Sequence, residues 1–179
     1  MQRYADNIAD YGFTRAAIVE TKNIAFLPEL RKSCEANVCG SYGTNWMCPP
    51  GVGEPEELKK RVLGFENGLL VQKVYDVEDS FDIEGMTEAG AHFDAAFSEL
   101  FDRVKEDDPT LTYLPLSAGG CRLCPRCAYL DTVPCRQPGR AISSVEAYAI
   151  HVGRLTQSVG IPYINGVNTV SFVALILYK

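Results

Sequence analysis

Residues 121–140 read CRLCPRCAYLDTVPCRQPGR and hold four cysteines, the first three of them at C-x2-C-x2-C spacing. A loop with this spacing wraps three corners of an iron–sulfur cube, with backbone amides free to point at the sulfurs. In the usual bacterial ferredoxin run the fourth cysteine follows after three residues and serves another cluster. Here it follows after seven residues, behind a proline. The sequence therefore predicts that Cys121, Cys124, Cys127 and Cys135 bind one 4Fe–4S cluster.

The charges of this stretch suit such a cluster. Arg122, Arg126, Arg136 and Arg140 share it with one acid, Asp131, although the whole chain carries a net charge of −6. Four thiolates around a cluster are negative in sum, and nearby cations stabilise them and raise the reduction potential. We therefore predict that Arg122, Arg126 and Arg136 contribute to cofactor binding.

A structural zinc site is the alternative for the same four cysteines, because paired C-x2-C units also build zinc ribbons. Tetrahedral zinc sites usually take two separated pairs, so the three-step spacing favours iron and sulfide. A disulfide framework is disfavoured further. The N-terminus lacks the apolar core of a signal peptide, which predicts a cytoplasmic protein in a reducing compartment, where disulfides are rare. The odd number of cysteines, seven, also prevents all of them from pairing.

Composition limits the remaining possibilities. A chain of 179 residues, 46% of them hydrophobic, fits one domain with a buried core. It contains no run of about 18 apolar residues, so no membrane helix is predicted. The negative charge disfavours nucleic acid, which leaves a redox protein or a small-molecule substrate as the expected partner. The acidic stretch 76–88 is interpreted as a solvated loop, with a docking surface for a basic partner as the alternative.

A second group of cysteines lies in residues 34–51, which read CEANVCGSYGTNWMCPPG. Its glycines and its two prolines predict an ordered loop rather than a helix. Three cysteines alone complete no site. We favour a second 4Fe–4S cluster on Cys34, Cys39 and Cys48, one iron of which lacks a cysteine. In the alternatives one of them completes the first site beside two free thiols, or all three are plain buried thiols.

An iron without a cysteine must be bound by something else. Water, a substrate, or a side chain such as His151 or Asn37 would fill that corner, although a lone histidine is more often a core or surface residue than a ligand. Trp46 and Tyr42 are expected to shield the site from water.

Hydrophobic periodicity outlines the rest of the chain. It predicts helices over 2–11, 55–63, 87–105 and 143–159, with a helical turn over 26–32 and a capping box formed by Ser143 and Glu146. It predicts strands over 14–20, 68–75, 111–116 and 169–178, the last of them central and buried on both faces. Strands alternating with helices indicate an α/β or α+β fold. We expect one domain over 1–179, with a sheet of about four strands, flanking helices, and cysteine loops over 34–51 and 119–140 that could meet at one end.

Three patterns resemble those of a family of small predicted metal-binding proteins. They are C-x4-C-G-x-Y-G-x2-W-x-C-P-P-G, C-x2-C-x2-C-x6-P-C-R-x-P and S-x-E-A-x2-I. The resemblance extends from Cys34 to the last strand and matches all seven cysteines. It implies metal binding by each of them and, since the family is best represented in anaerobes, an oxygen-shielded cytoplasm, but it brings no established reaction. A weaker likeness to the cobalamin-dependent epoxyqueuosine reductase group includes no matching catalytic residue and is analogy only.

The sequence thus predicts an iron–sulfur protein that transfers electrons or performs redox chemistry. If it performs redox chemistry, the iron that lacks a cysteine in the cluster held by Cys34, Cys39 and Cys48 would act as a Lewis acid on a small substrate. One alternative is a structural zinc protein that acts through a partner surface, and another is a reductase with an added flavin or corrinoid. The chain has no G-x-G-x-x-G loop, which disfavours a Rossmann-type nucleotide site. The residues leave undecided whether the protein is an enzyme.

Overall fold

Five α-helices and five strands make up the structure, a computed structural model that describes residues 1–179. The helices are α1 (Gln2–Asp6), α2 (Leu30–Glu35), α3 (Pro55–Leu63), α4 (Ile83–Asp107) and α5 (Val152–Ser158). The strands are β1 (Arg15–Glu20), β2 (Asn67–Asp76), β3 (Tyr113–Ser117), β4 (Ser143–Ser144) and β5 (Thr169–Tyr178). Short 3-10 turns cover Ile8–Tyr11, Thr21–Asn23, Ala128–Asp131 and Glu146–Tyr148.

All strands belong to one sheet, in the order β1-β2-β5-β3-β4. β2 is antiparallel to β1 and β5, and β5 is antiparallel to β3. Only the two-residue β4 runs parallel to its neighbour, β3. The predicted single sheet with flanking helices is confirmed. The sheet has five strands rather than four, and its mainly antiparallel pairing gives the fold an α+β character.

The apolar run of β5 is the centre of the sheet, as predicted. Val173, Leu175 and Leu177 face a core that includes α3 and α5, whereas Ala174 and Ile176 face a second core beneath α4. Successive side chains of a strand point to opposite faces. Because both faces of β5 are covered, its sequence shows no alternation of apolar and polar residues.

The long helix α4 covers one face of the sheet. Its buried residues follow helical periodicity, as the sequence predicted, and they are Ala89, Phe93, Phe97, Leu100, Phe101 and Val104. The helix begins four residues before the predicted start because Asp82 caps it, its Oδ1 accepting the backbone N–H of Gly85 at 2.8 Å. Part of the acidic stretch is therefore helical. None of the five helices combines the length and hydrophobicity needed to cross a membrane.

The helix predicted over 143–159 is wrong for its first half. Ser143 and Ser144 form β4 instead, and the hydroxyl of Ser144 accepts the backbone N–H of Ala147 at 3.0 Å. That bond closes a short 3-10 turn, because serine side chains compete with the helical ladder for backbone donors. Ala149 then adopts a left-handed conformation with φ 57°. The helix α5 begins only at Val152.

Candidate metal centre

The two cysteine loops are in direct contact. The indole Nε1–H of Trp46, in the first loop, donates to the backbone carbonyl of Val133 in the second loop at 3.0 Å. The Trp46 ring also lies edge-on against Tyr129, with the ring centroids 4.9 Å apart. The expectation that both loops meet at one place is confirmed, and Trp46 forms part of the seam between them.

Two glycines allow the loops to approach this closely. A Cβ on Gly51 would lie 2.7 Å from the backbone oxygen of Asn45 and 2.8 Å from the ring of Tyr129. A Cβ on Gly120 would lie 2.7 Å from the hydroxyl of Ser41 and 3.4 Å from the sulfur of Cys48. The Cys48 sulfur therefore lies against the backbone that leads into Cys121, so the two cysteine groups adjoin.

Replacing Gly51 with alanine should weaken this seam. The added methyl group meets a backbone oxygen and an aromatic ring, neither of which can turn away as a flexible side chain would. Overpacking of this kind costs about 1–3 kcal/mol of unfolding free energy, measurable by urea denaturation. Gly139→Ala is the matched control, since its Cβ would have no neighbour within 4 Å. Equal unfolding midpoints for the two variants would show that the close contact at Gly51 does not exist.

The four cysteines of the second loop converge. The thiol of Cys121 lies within electrostatic range of the thiols of Cys124, Cys127 and Cys135. Gln137 contacts two of these sulfurs: its backbone N–H donates to Cys135 Sγ at 3.4 Å, and its Nε2 donates to Cys124 Sγ at 3.6 Å. The structure thus brings together the four residues that the spacing predicted. That they bind metal stays a prediction.

The three cysteines of the first loop form a separate group. The thiols of Cys34, Cys39 and Cys48 lie within electrostatic range of one another. Cys48 is buried, Cys39 is exposed, and Cys34 is intermediate between them. Asn37 and Asn45 fix the loop, since Asn37 Oδ1 accepts the N–H of Tyr42 at 2.9 Å and Asn45 Oδ1 accepts that of Met47 at 3.0 Å.

Burial raises the thiol pKa of Cys34, Cys48 and Cys121. Other groups lower these pKa values in part. They are the charge of Arg31 for Cys34, a hydrogen bond from Asn45 for Cys48, and a hydrogen bond from a backbone N–H for Cys121. Desolvation disfavours a thiolate that has no cation beside it. A metal that binds at these cysteines would have to displace their protons, so its affinity would rise with pH.

The donor set of the second loop fits an iron–sulfur cluster. Four thiols converge in one loop, and amide groups donate to two of the sulfurs. No three His, Cys, Asp or Glu side chains are arranged to hold a single metal ion.

The three arginines predicted to contribute to cofactor binding make their contacts with other groups. Arg126 and Arg136 are exposed and pair with Asp131 at 2.7 and 3.8 Å, and Arg136 also donates to the backbone carbonyl of Arg126 at 2.9 Å. Arg122 extends toward α4, where its charge acts on Asp94. None of the three donates a hydrogen bond to a cysteine sulfur. Their positive charge surrounds the loop, and a direct role in cofactor binding stays a prediction.

Both side chains named for the open corner of the first group also have partners. The amide oxygen of Asn37 accepts from Tyr42, and Nδ1 of His151 accepts the backbone N–H of Arg154 at 3.2 Å. Sequence reasoning missed Glu146, whose carboxyl lies within electrostatic range of Cys34. Although much of the Glu146 residue is exposed, desolvation of the carboxyl raises its pKa. The available signal was the position of Glu146 in the S-x-E-A pattern, although the spacing from Ser143 also fits a helix cap.

Gln137 was missed for a different reason. A glutamine two residues after a cysteine has no distinctive spacing, and its contact with Cys124 bridges 13 positions of sequence. Only the folded loop shows that its side chain turns back onto a sulfur.

Most of the chain matches a family of known sequences. The sequence pattern of the family described as predicted metal-binding protein (DUF2284) matches residues 17–178. The chain belongs to this family. The match covers both cysteine loops and all five strands, apart from the first two residues of β1. Neither the curated proteins nor the solved structures include a match to the chain.

Membership of the DUF2284 family confirms the resemblance drawn from the three motifs. It supports metal binding as the general property of the chain. The description of the DUF2284 family specifies no metal, so the choice between iron–sulfur and zinc depends on the donor set.

Proposed function

We propose that the protein is an iron–sulfur redox protein in which Cys121, Cys124, Cys127 and Cys135 bind a 4Fe–4S cluster. The convergence of these four thiols in one loop, with Gln137 donating to two of the sulfurs, carries the proposal. Hydrogen bonds to the sulfurs stabilise the reduced, more negative state and so raise the reduction potential. A reducing cytoplasm poor in oxygen would keep the cysteines available, consistent with their odd number.

The chain contributes the surroundings of this site. A bound cluster supplies one-electron transfer. Trp46 and Tyr129 pack against each other at the seam between the loops. Cys48 holds the first cysteine group against the backbone at Gly120 and Cys121. The residues that would hold the two groups of metal ligands therefore adjoin.

We further propose that Cys34, Cys39 and Cys48 hold a second cluster with one iron lacking a cysteine. An incomplete ligand set is the arrangement that metal sites with a bound substrate use. The protein would then be an oxidoreductase with a small-molecule substrate. Otherwise it is an electron carrier for a redox partner protein.

Purification without oxygen tests the first proposal. We expect brown protein with a broad absorbance near about 400 nm that bleaches on reduction, and iron and sulfide in equal amounts, as iron–sulfur thiolate sites show. Two clusters would give about eight irons per chain and one cluster about four. Colourless protein with zinc and no sulfide would overturn the proposal and leave the structural zinc alternative.

Replacing Cys39 with alanine tests the second cluster. We expect the variant to keep about half of the iron, since only one of two clusters loses a ligand. Val38→Ala is the control, because Val38 is the neighbouring residue and is also exposed. If Cys39→Ala keeps all its iron, residues 34–48 do not form a cluster site. The protein is then a one-cluster carrier with nearby thiols.

A further inference from the structure

A cleft lies between the two cysteine loops and the outer edge of β3. Its volume is about 650 Å³, within the range of about 300–1,000 Å³ that small-molecule sites occupy. Trp46 and Met47 of the first loop line one side, and Cys135 of the second loop lines another. We infer that this cleft binds a small organic anion with an apolar, planar body.

The charge of the cleft favours an anion. Arg61 and Lys105 line it, and none of the 23 acidic residues of the chain does. Arg61 forms no ion pair; its Nη1 donates to the hydroxyl of Tyr148 at 3.2 Å. Lys105 pairs with the exposed Asp102 at 2.7 Å, an interaction worth little in water. Arg61 therefore has no carboxylate partner, and a ligand can replace the exposed partner of Lys105. A guanidinium suits carboxylate and phosphate groups in particular.

Tyr148 adds a hydrogen-bond donor at the same place. Its ring is buried, with 2% of its surface exposed, and its hydroxyl accepts from Arg61. A phenol carries one proton to donate, and no protein group accepts that proton in the structure. Burial raises the pKa of Tyr148 despite the nearby guanidinium, so the hydroxyl keeps its proton at neutral pH. Arg61 and Tyr148 together present donors to one anionic group.

The walls of the cleft suit an apolar body. Aromatic rings of Trp46, Phe101 and Tyr113 line it. Its floor is the edge of β3 over Tyr113–Pro115, where β4 does not extend, because β4 pairs only with Leu116 and Ser117. Large aromatic surfaces next to cations select ligands with a flat apolar part and a charged end.

Cys135 gives this binding site a redox use. A ligand in the cleft would lie beside a proposed ligand of the cluster. This use rests on the proposed function, whereas the binding of the anion does not. Two kinds of ligand fit this description. One is a resident cofactor such as flavin mononucleotide, and the other is a free substrate such as an aromatic acid.

Calorimetric titration of the metal-loaded protein tests the inference. Phenyl phosphate and benzoate are the small anionic probes, and benzyl alcohol is their neutral counterpart. Flavin mononucleotide and riboflavin form a second pair that differs by the same phosphate. We expect an anionic probe to bind at least about tenfold more tightly than its neutral counterpart, the effect of one charge-assisted hydrogen bond. Tight binding of flavin mononucleotide would identify the ligand as a cofactor. Binding of the small anions alone would identify it as a substrate.

Variants locate the site. Arg61→Gln and the double variant Arg61→Gln/Lys105→Gln should each weaken binding at least about tenfold. Lys60→Gln removes a neighbouring exposed cation outside the cleft and should bind like the unchanged protein. Iron and sulfide assays on every variant separate this test from that of the cluster. Equal affinity for anionic and neutral probes, unchanged affinity in the double variant, or no saturable binding by any probe would overturn the inference.

Discussion

Replacing Cys124 with serine is expected to remove the metal of the second loop and to destabilise the fold. A serine hydroxyl is a poor replacement for a thiolate, and the variant also loses the sulfur that accepts from Gln137 Nε2. Metal binding free energy is folding free energy, on the order of 10 kcal/mol for structural metal sites. Loss of a large part of this free energy would destabilise the protein more than most truncations of core side chains do. Iron and sulfide analysis and urea denaturation, both without oxygen, measure the two losses.

The control for this experiment is Leu123→Ala. Leu123 precedes Cys124 and is 38% exposed, so its truncation changes the loop without removing a predicted ligand. It should keep its metal and most of its stability. A Cys124→Ser protein that is as stable as Leu123→Ala and has full iron content would contradict the assignment of the four cysteines.

Replacing Leu175 with alanine should be the most damaging change that leaves every cysteine in place. Leu175 is fully buried in β5, and its Cδ1 lies 2.8 Å from where a Cβ on Gly68 would stand, so the two residues pack tightly. Truncating a leucine in such a position costs about 2–5 kcal/mol of unfolding free energy. Urea denaturation measures this cost. The iron content of the folded fraction should stay unchanged, since β5 provides no metal ligand.

Val170→Ala is the comparison for the core variant. Val170 belongs to the same strand but is only half-buried near its beginning. We expect a clearly smaller loss of stability there. If both variants unfold at the same urea concentration, β5 is not the central strand of a tightly packed sheet.

Local chemistry explains which elements the sequence predicted well. The bounds of α3 follow from Pro55 at its first position, acids in its first turn and bases in its last turn. The continuous apolar run of β5 indicated a strand buried on both faces. In both cases the residues that define the element are its own, and no distant partner changes the outcome.

Tertiary contacts explain the remainder. Residues 143–150 have an apolar pattern that fits a helix, but β3 pairs with Ser143 and Ser144, and Phe26 pairs with Ile150. These distant partners override the local preference. The cysteine spacing predicted the two groups because the members of each group lie close together in the sequence. The loop predicted over 34–51 is wrong at its start, since Cys34 lies in the last turn of α2. The seam at Trp46 and Tyr129 could not be predicted, since it joins residues 83 positions apart.

The arginines show a further limit of sequence reasoning. The excess of arginines predicted a positively charged second cysteine loop, and the arginines do surround that loop in the structure. The orientation of each guanidinium depends on Asp131 and on the position of α4, and neither is readable from charge alone.

The position of β5 has a consequence for how the protein is made. β5 lies between β2 and β3, although it follows both of them in the chain. During translation the first cysteine loop emerges with β1 and β2, and the second emerges after β3, well before residues 169–178 leave the ribosome. Pairing of such distant strands is slow, and half-finished sheets expose apolar surface. The two cysteine groups would therefore lie against each other only after β5 has completed the sheet, so the contact between them should form after chain release.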